Sequence, residues 1–527
     1  MDETTTSPGS RCRGWFLQNF ICMSTALDGR YGLIATGAAT STEGSGSPCE
    51  QDGNFQGGKP VSYSGPTLPE NILYHIHSLL PLRDAARAAC VSHAFLNSWR
   101  CHPNLNFSIE TLGLKANEYG ADKATVEEFI KNVDHILKRH SGIGLKTLDI
   151  DVYFLRFDVD PQDGNNANPC HLDSWLRLAL TSGIEELILV LPAKVPKYNF
   201  PCSLLSGKSG NSIQYIRLSS CAFRPTVSLG CLRSLKRLHL YSVGITGDEL
   251  GCLLSNSSAL ERLEVLLCSE ILCLKIPSLL QRLSYLEVVS CDGLQVIESE
   301  APSLSSCSFS GHRHHRVQLS LGGALQVKKL EMSCFSAVCY ARERLPTIVP
   351  NLKTLTIATS CEMASTPIVP SKFHHLKHLN IRIPGGALYP TYDFLSLASF
   401  LDASPSLETF VLDILVPECR VEHGLFSGDP SQLVQAPEHH HDALKRMKIT
   451  GFYPEKSLLE LACRVLETAT SLDCLTLGTS YCSCWRLDSE PGKCHLAAIG
   501  TYIEGKVAST ARLHVEGPCT RRRAVEV

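Results

Sequence analysis

Residues 235–265 read LKRLHLYSVGITGDELGCLLSNSSALERLEV, and the same six-residue phrase occurs in them twice, as LKRLHL at 235 and LERLEV at 260. Each phrase has aliphatic residues at its first, fourth and sixth positions, with polar residues at the third and fifth. Alternation of this kind predicts a short strand with one apolar and one polar side. Between the two phrases, Thr246 with Glu249 three residues later has the spacing of a capping box. Leu250, Leu253 and Leu254 then share one helical face. The unit is therefore strand, turn, short helix and return, and its apolar edge stays uncovered until another unit stacks on it.

Working outward, the phrase recurs as LKTLDI at 145, IEELIL at 184, IQYIRL at 213, LSYLEV at 283, a degenerate LSSCSF at 304, VKKLEM at 327, LKTLTI at 352, LKHLNI at 376, LETFVL at 407, LKRMKI at 444 and LDCLTL at 472. Between 213 and 376 the starts are 22, 25, 23, 21, 23, 25 and 24 residues apart. That is the period of a leucine-rich repeat. Thirteen such units predict an α/β solenoid, a horseshoe with parallel strands on its concave face. The gaps of 39 and 29 residues at the start, and of 31, 37 and 28 at the end, predict insertions or degenerate units. With the leucines turned inward, Arg237, Arg262, Tyr285, Lys329, Thr354 and His378 fall in one column on the open face. His239, Glu264, Glu287, Glu331, Thr356 and Asn380 fall in the next. Arg237, Arg262, Tyr285, Glu287, Lys329, Glu331 and His378 are the candidate target-binding residues, with Tyr285 and Arg262 as anchors because aromatic and arginine side chains dominate interface hot spots. Mixed signs along the columns also predict salt bridging within the face.

Composition narrows the function. The 527 residues carry 49 Lys and Arg against 52 Asp and Glu, a net charge of -3, without the basic excess of a nucleic-acid binder. No apolar run reaches the roughly 18 to 20 residues of a membrane span, so neither nucleic acid nor membrane is an expected partner. The 24 cysteines are expected to be thiols of a reducing compartment, cytoplasm or nucleus. Cys221, Cys268 and Cys291 each stand eight residues after the start of their repeat, with Cys334 at seven and Cys361 at nine. Such a column does not converge as zinc ligands must, and predicts buried packing. CSCW at 482–485 with Cys494 and His495 departs from zinc-module spacing, and the His clusters at 312–315, 374–375 and 439–441 lie in polar stretches expected to be solvated. Phosphate loop, nucleophile elbow, kinase and zinc-helix signatures are all missing. No catalytic residue, cofactor or metal is assigned.

Ahead of the repeats, after a Gly/Ser/Thr-rich leader, residues 68–100 read LPENILYHIHSLLPLRDAARAACVSHAFLNSWR. Pro69 suits the start of a helix, and Ile72, Leu73, Ile76, Leu79 and Leu80 form a stripe that Pro81 ends. A second helix follows near Arg83-Asp84 and a third over 93–99. Three helices this short cannot close a core and need covering, either by a partner or as a cap on the first repeat.

This stretch resembles an F-box at Leu68, Pro69, Ile72, Ile76, Leu80, Pro81, Leu82, Asp84, Ala88, Cys90, Val91 and Ser92. It departs at Phe95, where the family usually has Trp, and at His77, which replaces a usual apolar residue. HHHDALKRMKITGFYPEKSLLELACRVLETATSLDCLTL, from 439, is similar to the FBD-type tail of plant F-box/leucine-rich-repeat proteins at Leu444, Lys445, Gly451, Phe452, Glu460, Leu461, Leu466 and Leu472. The organisation expected is a disordered leader over 1–66, an F-box over 67–108, a helical linker or cap over 109–144, repeats over 145–438, FBD-like units over 439–516 and a disordered tail over 517–527. The resemblance implies a non-catalytic substrate receptor of an SCF-type ubiquitin ligase. Leu68, Pro69, Ile72, Ile76, Leu80, Leu82 and Val91 would then dock on a Skp-type adaptor, and through it on a cullin. A repeat scaffold outside any ligase is the other reading.

Overall fold

The computed structural model describes residues 69–517 except position 92 and the segments 116–120, 154–166, 194–196, 207–208, 227–231, 312–315, 323, 360, 363–364, 368–369, 385–391, 416–425, 434–439 and 480–492. The predicted leader, the tail beyond Gly517, Leu68, the His cluster at 312–315 and CSCW lie outside the described residues. Residues from Leu68 onward form a unit of their own.

Every one of the thirteen phrases forms a strand, and these strands belong to one fifteen-stranded parallel sheet whose order follows the sequence. The two further strands are Asn104–Phe107 at the start and Arg512–Glu516 at the end. The first of these lies in the segment assigned to the F-box, and it pairs with Thr147–Asp151 from Asn104↔Thr147 to Phe107↔Ile150. Leucine register continues through the stack, Leu238↔Leu263↔Leu286↔Cys307↔Leu330↔Leu355↔Leu379. All of these side chains are buried. The core is thus a continuous column to which each unit adds a layer.

Repeat length decides how the chain returns. The unit after Arg237–Tyr241 closes its return with the expected helix, Gly247–Leu254. In its capping box Glu249 N–H donates to Thr246 Oγ1 at 3.2 Å, and Thr246 N–H donates to Glu249 at 2.8 Å. Helices Ala337–Ile348, Ala398–Ala403 and Lys456–Thr468 serve other long units. In the middle, where starts are 21 to 23 residues apart, the returns are strands. Cys273–Ile276, Val296–Ser299 and Gln318–Leu321 make a second, three-stranded parallel sheet. A strand rises more than twice as far per residue as a helix, so a short return spans the layer only when extended.

The turn that leaves the inner strand explains the cysteine column. Ser220, Ser242, Leu267 and Ser290, each directly after a strand, adopt φ of 57°, 54°, 56° and 55°. This left-handed residue turns its N–H onto the next strand, as in Ser220 N–H to Tyr241 O at 2.9 Å and Leu267 N–H to Val289 O at 2.9 Å. The following side chain points back beneath the sheet, where Cys221, Cys268 and Cys291 are buried. Cys268 Sγ donates to Leu266 O at 3.4 Å. Burial pushes Cys221, Cys291 and Cys307 up to about 12 and Cys268 and Cys334 up to about 11.

Candidate functional site

Two surfaces carry the residues that the sequence singled out. The first is the N-terminal helical module, α1 (Glu70–Ser78), α2 (Leu82–Val91) and α3 (His93–Trp99). Within it His77 Nε2 lies 2.8 Å from Ala85 O. Part-buried contacts lead from it toward the first repeat: His102 Nε2 lies 3.3 Å from Leu80 O, and His140 Nε2 2.9 Å from His102 O. Ser141 N–H donates to Arg100 O at 2.8 Å. Burial holds His102 and His140 below the ordinary imidazole pKa, against the opposing pull of these carbonyl contacts.

One expectation for this module needs correction. Leu82 is only 6% exposed and joins the protein's own core, so it is not available to a partner. His77, which stands where the family usually has an apolar residue, is 1% exposed and faces inward, its ring centroid 5.4 Å from Phe95 and 6.4 Å from Trp99. The imidazole accordingly serves as a polar brace between α1 and α2. What remains outside is Pro69 together with Ile72 at 41%, Ile76 at 40% and Leu79 at 72% exposure. Ile72, Ile76 and Leu79 recur at helical spacing along one side of α1 and the turn after it. Leu80 is half-buried. Val91 closes α2 at its C-terminus. α2 turns Leu82 and Ala85 inward, toward Asn104–Phe107 and the helix Ile109–Leu112, and the apolar side of α1 is left bare.

The second surface is the open face of the large sheet. Strand register places Arg237, Arg262, Tyr285, Ser306, Lys329, Thr354 and His378 side by side, as the sequence indicated. His239, Glu264, Glu287, Ser308, Glu331, Thr356 and Asn380 form the adjacent row. The degenerate repeat at 304 contributes serines to both. The anchors are already engaged with each other. Arg262 lies over the Tyr285 ring at 3.9 Å and donates to Glu264 at 2.5 Å. Arg237 lies over Tyr215 at 4.5 Å and reaches Glu186 at 3.5 Å. Burial raises Glu264, but His239 Nδ1 at 2.7 Å and Arg262 outweigh it, and its pKa is lowered. Glu287 receives the Tyr285 hydroxyl at 2.7 Å. Burial, with the charges of Glu264 and Glu331 adding to it, holds Glu287 above the ordinary carboxylate pKa. Asp149, nearer the start of the sheet, is pushed up to about 6 by burial and by Asp151.

Toward the C-terminus the strand Arg446–Phe452 holds Gly451 and Phe452 of the FBD-like residues and the helix Lys456–Thr468 holds Glu460, Leu461 and Leu466, while Leu444, Lys445 and Leu472 lie just ahead of strands. Leu444, Phe452, Leu461, Leu466 and Leu472 are buried. Gly451 adopts φ 72° at an irregularity in the ladder, and a Cβ there would stand 2.0 Å from Ile414 O. Gly451 is therefore a backbone requirement, whereas Phe452 serves the core. His374, His375 and His440 are exposed as expected, whereas His441 is largely covered and its Nε2 lies 3.5 Å from Asp402. Among the described residues no three metal-ligating side chains converge, and no helix is long and apolar enough to cross a membrane.

Comparison with known proteins agrees with this architecture. The family model described as At1g61320/AtMIF1, LRR domain matches residues 136–520. The chain is similar to the Arabidopsis thaliana F-box/FBD/LRR-repeat protein At5g56420, 27% identical over 207 residues that cover 38% of this chain and 43% of that one. F-box/LRR-repeat protein At3g26922 of the same plant is 24% identical over 254 residues, 47% of this chain and 74% of that one. FBD-associated F-box protein At3g52670, also from Arabidopsis thaliana, is 26% identical over 202 residues, 38% and 42% of the two. The match thus spans less than half the length of the first and third relatives. With fifteen strands in one parallel stack, a helical module at its head and the Gly-Phe unit near its end, the chain belongs to the At1g61320/AtMIF1 leucine-rich-repeat family and is a plant F-box/leucine-rich-repeat protein with an FBD-like region.

Proposed function

We propose that the protein is the substrate-recognition subunit of an SCF-type ubiquitin ligase, with α1 docked on a Skp-type adaptor, and through it a cullin, and with the repeats holding a target protein. The observation that carries this reading is the bare apolar side of Ile72, Ile76 and Leu79 on a module whose inner side packs through His77, Leu82 and Ala85. A cap that only closed the solenoid would have no use for that second apolar side, and exposed apolar patches mark interaction sites. Pro69, Leu80 and Val91, with Leu68, complete the proposed contact; Leu82 does not belong to it. Arg237, Arg262, Tyr285, Glu287, Lys329, Glu331 and His378 are the proposed target face. Such a receptor makes and breaks no bonds. It raises the effective concentration of a target lysine near the charged conjugating enzyme. With its cysteines read as thiols of a reducing compartment, the proposed place of that work is the cytoplasm or nucleus.

Deleting the whole module would also remove Leu82, Ala85 and His77 from the core, so the test is a surface variant. Full-length protein should co-elute with a Skp-type adaptor and a cullin, and Ile72→Asp/Ile76→Asp should elute alone at its native size. Co-elution of that variant would rule out α1 as the docking face, and no co-elution by the parent chain favours a repeat scaffold outside any ligase.

A further inference from the structure

The open face has one discontinuity. In the strand Ser306–Ser310 the residues turned to that face are serines. The flanking strands carry Tyr285 and Glu287 on one side and Lys329 and Glu331 on the other, in register with Ser306 and Ser308. Adjacent strands lie about 4.8 Å apart, so the flanking side chains stand as walls roughly 10 Å apart over a floor one strand wide. That gap is the width of one side chain in contact with both walls. Ser310, the third serine, is buried and tied to Ser290 N–H at 2.6 Å, which fixes the floor.

The walls are chemically specific. One face of the Tyr285 ring is covered by Arg262, and the neighbour on the other side is Ser306, too small to cover it. Glu287 is half-buried and accepts from the Tyr285 hydroxyl. Among the described residues no ion pair holds Glu287 or Glu331, whereas Glu264, one strand earlier, has both His239 and Arg262. Elsewhere on this face Asp413 takes Arg382 of the next strand at 3.3 Å, and Glu516 takes Lys448 from two strands away at 3.0 Å. The notch therefore combines an uncovered aromatic face with two carboxylates lacking a counter-ion, set on either side of Ser308. Phosphate groups and acidic peptides are repelled by that pair. A planar cation satisfies all three groups at once, because a guanidinium stacks on an aromatic ring and hydrogen-bonds carboxylates through its rigid fork, which a compact ammonium cannot do. Lys329, opposite Tyr285, disfavours a cation at that end and directs it toward the Glu287–Glu331 level.

We propose that the repeats capture their target through an arginine side chain lying over Ser306 and Ser308, its guanidinium stacked on Tyr285 and paired with Glu287 and Glu331. This rests on the receptor reading and specifies the residue recognised.

The probe is a phage-displayed random decapeptide library selected on purified full-length protein, in parallel with Glu287→Gln/Glu331→Gln and with Ser308→Arg, which fills the notch with the proposed group. The expected result is a consensus with arginine fixed at one position, preferred to lysine. A synthetic peptide of that consensus should bind the parent chain at least tenfold more tightly than its citrulline counterpart, and both variants should lose that preference while keeping the parent's thermal unfolding. Equal selection of lysine, an acidic or apolar consensus, no consensus, or an arginine preference that survives in the variants overturns the proposal. Adaptor binding is measured on the same preparations: its loss from the parent chain counts against the receptor reading alone, and failure of arginine selection with adaptor binding intact counts against this site alone.

Discussion

Gly451→Ala and Gly251→Ala should move stability in opposite directions. Gly451 sits at φ 72°, and an added Cβ would stand 2.0 Å from Ile414 O and 3.0 Å from Ile414 C, both backbone atoms of the neighbouring layer. The left-handed conformation costs an L-residue about 1–2 kcal/mol. Forcing the two layers apart adds about 1–3 kcal/mol, the usual range for overpacking. The sum is a loss of about 2–5 kcal/mol, concentrated where Arg446–Phe452 meets Thr409–Leu415. Gly251 lies inside the helix Gly247–Leu254 with nothing within 4 Å of a Cβ. There alanine removes backbone freedom from the unfolded chain and should add about 0.5–1 kcal/mol. Because a solenoid unfolds layer by layer, urea denaturation should be read together with amide exchange. Gly451→Ala should accelerate exchange in the strands at 409–415 and 446–452 and leave 237–266 unchanged, while Gly251→Ala should slow exchange around 247–266. Parent-like stability of Gly451→Ala, or a loss in Gly251→Ala matching it, would refute the backbone argument.

The buried thiols set an alkaline limit. Their folded pKa values of about 11 to 12 lie above the ordinary cysteine value. The unfolded chain therefore releases protons first, and stability that is complete below about pH 9 falls as pH rises through the folded values. The urea midpoint should drop over that window, with a shallower slope in Cys268→Ala/Cys291→Ala/Cys307→Ala; equal slopes would count against it. Cys268→Ala alone should cost about 1–3 kcal/mol by denaturant titration, and chelators should change nothing. Asp149 titrates oppositely to an ion-paired carboxylate: with its folded pKa raised to about 6, ionisation disfavours the fold as pH climbs from about 4 through 6. Asp149→Asn should then stabilise the protein at pH 7.5 and not at pH 3.5, and equal effects at both pH values would show that charge is not the cause. Arg262→Glu would place a carboxylate beside Glu264 and so disturb the repeat as well as the face, which makes Lys329→Glu the cleaner probe of target capture.

Most of the sheet was legible because a strand needs only its alternation. All thirteen phrases are strands, and even LSSCSF keeps Cys307 and Phe309 buried where leucines usually stand. Asn104–Phe107 and Arg512–Glu516 were missed because the phrase is truncated there: Leu105 and Phe107, or Leu513 and Val515, alternate without a leading leucine. The short return strands, such as Cys273–Ile276, were illegible for another reason. Four residues carry no usable period, and their extended form follows from how few residues the layer leaves. At the helical module the stripe on α1 was readable but its direction was not. Leu82 and His77 look equivalent to Ile72 and Ile76 in sequence, and only the packing of Phe95, Trp99 and His102 around the imidazole separates inside from outside. On the open face the two columns followed from the spacing. That Arg262 and Tyr285 bind each other, and that the serines open a notch beside them, required the strand register.

The central claim is that one side of α1 serves the protein and the other serves an adaptor. It is tested most directly by measuring calorimetric affinity for a Skp-type adaptor and thermal unfolding together, on Ile72→Asp/Ile76→Asp and on Leu82→Ala. The account predicts that the first variant loses adaptor binding while unfolding at the parent's temperature, since both side chains are about 40% exposed in the free protein and a charge buried unpaired in the complex costs several kcal/mol. It predicts that the second keeps its adaptor affinity and loses about 2–5 kcal/mol of stability, as truncation of a core leucine does. Undiminished adaptor binding by the charged pair, or a fold as stable with Leu82→Ala as without it, would contradict the account.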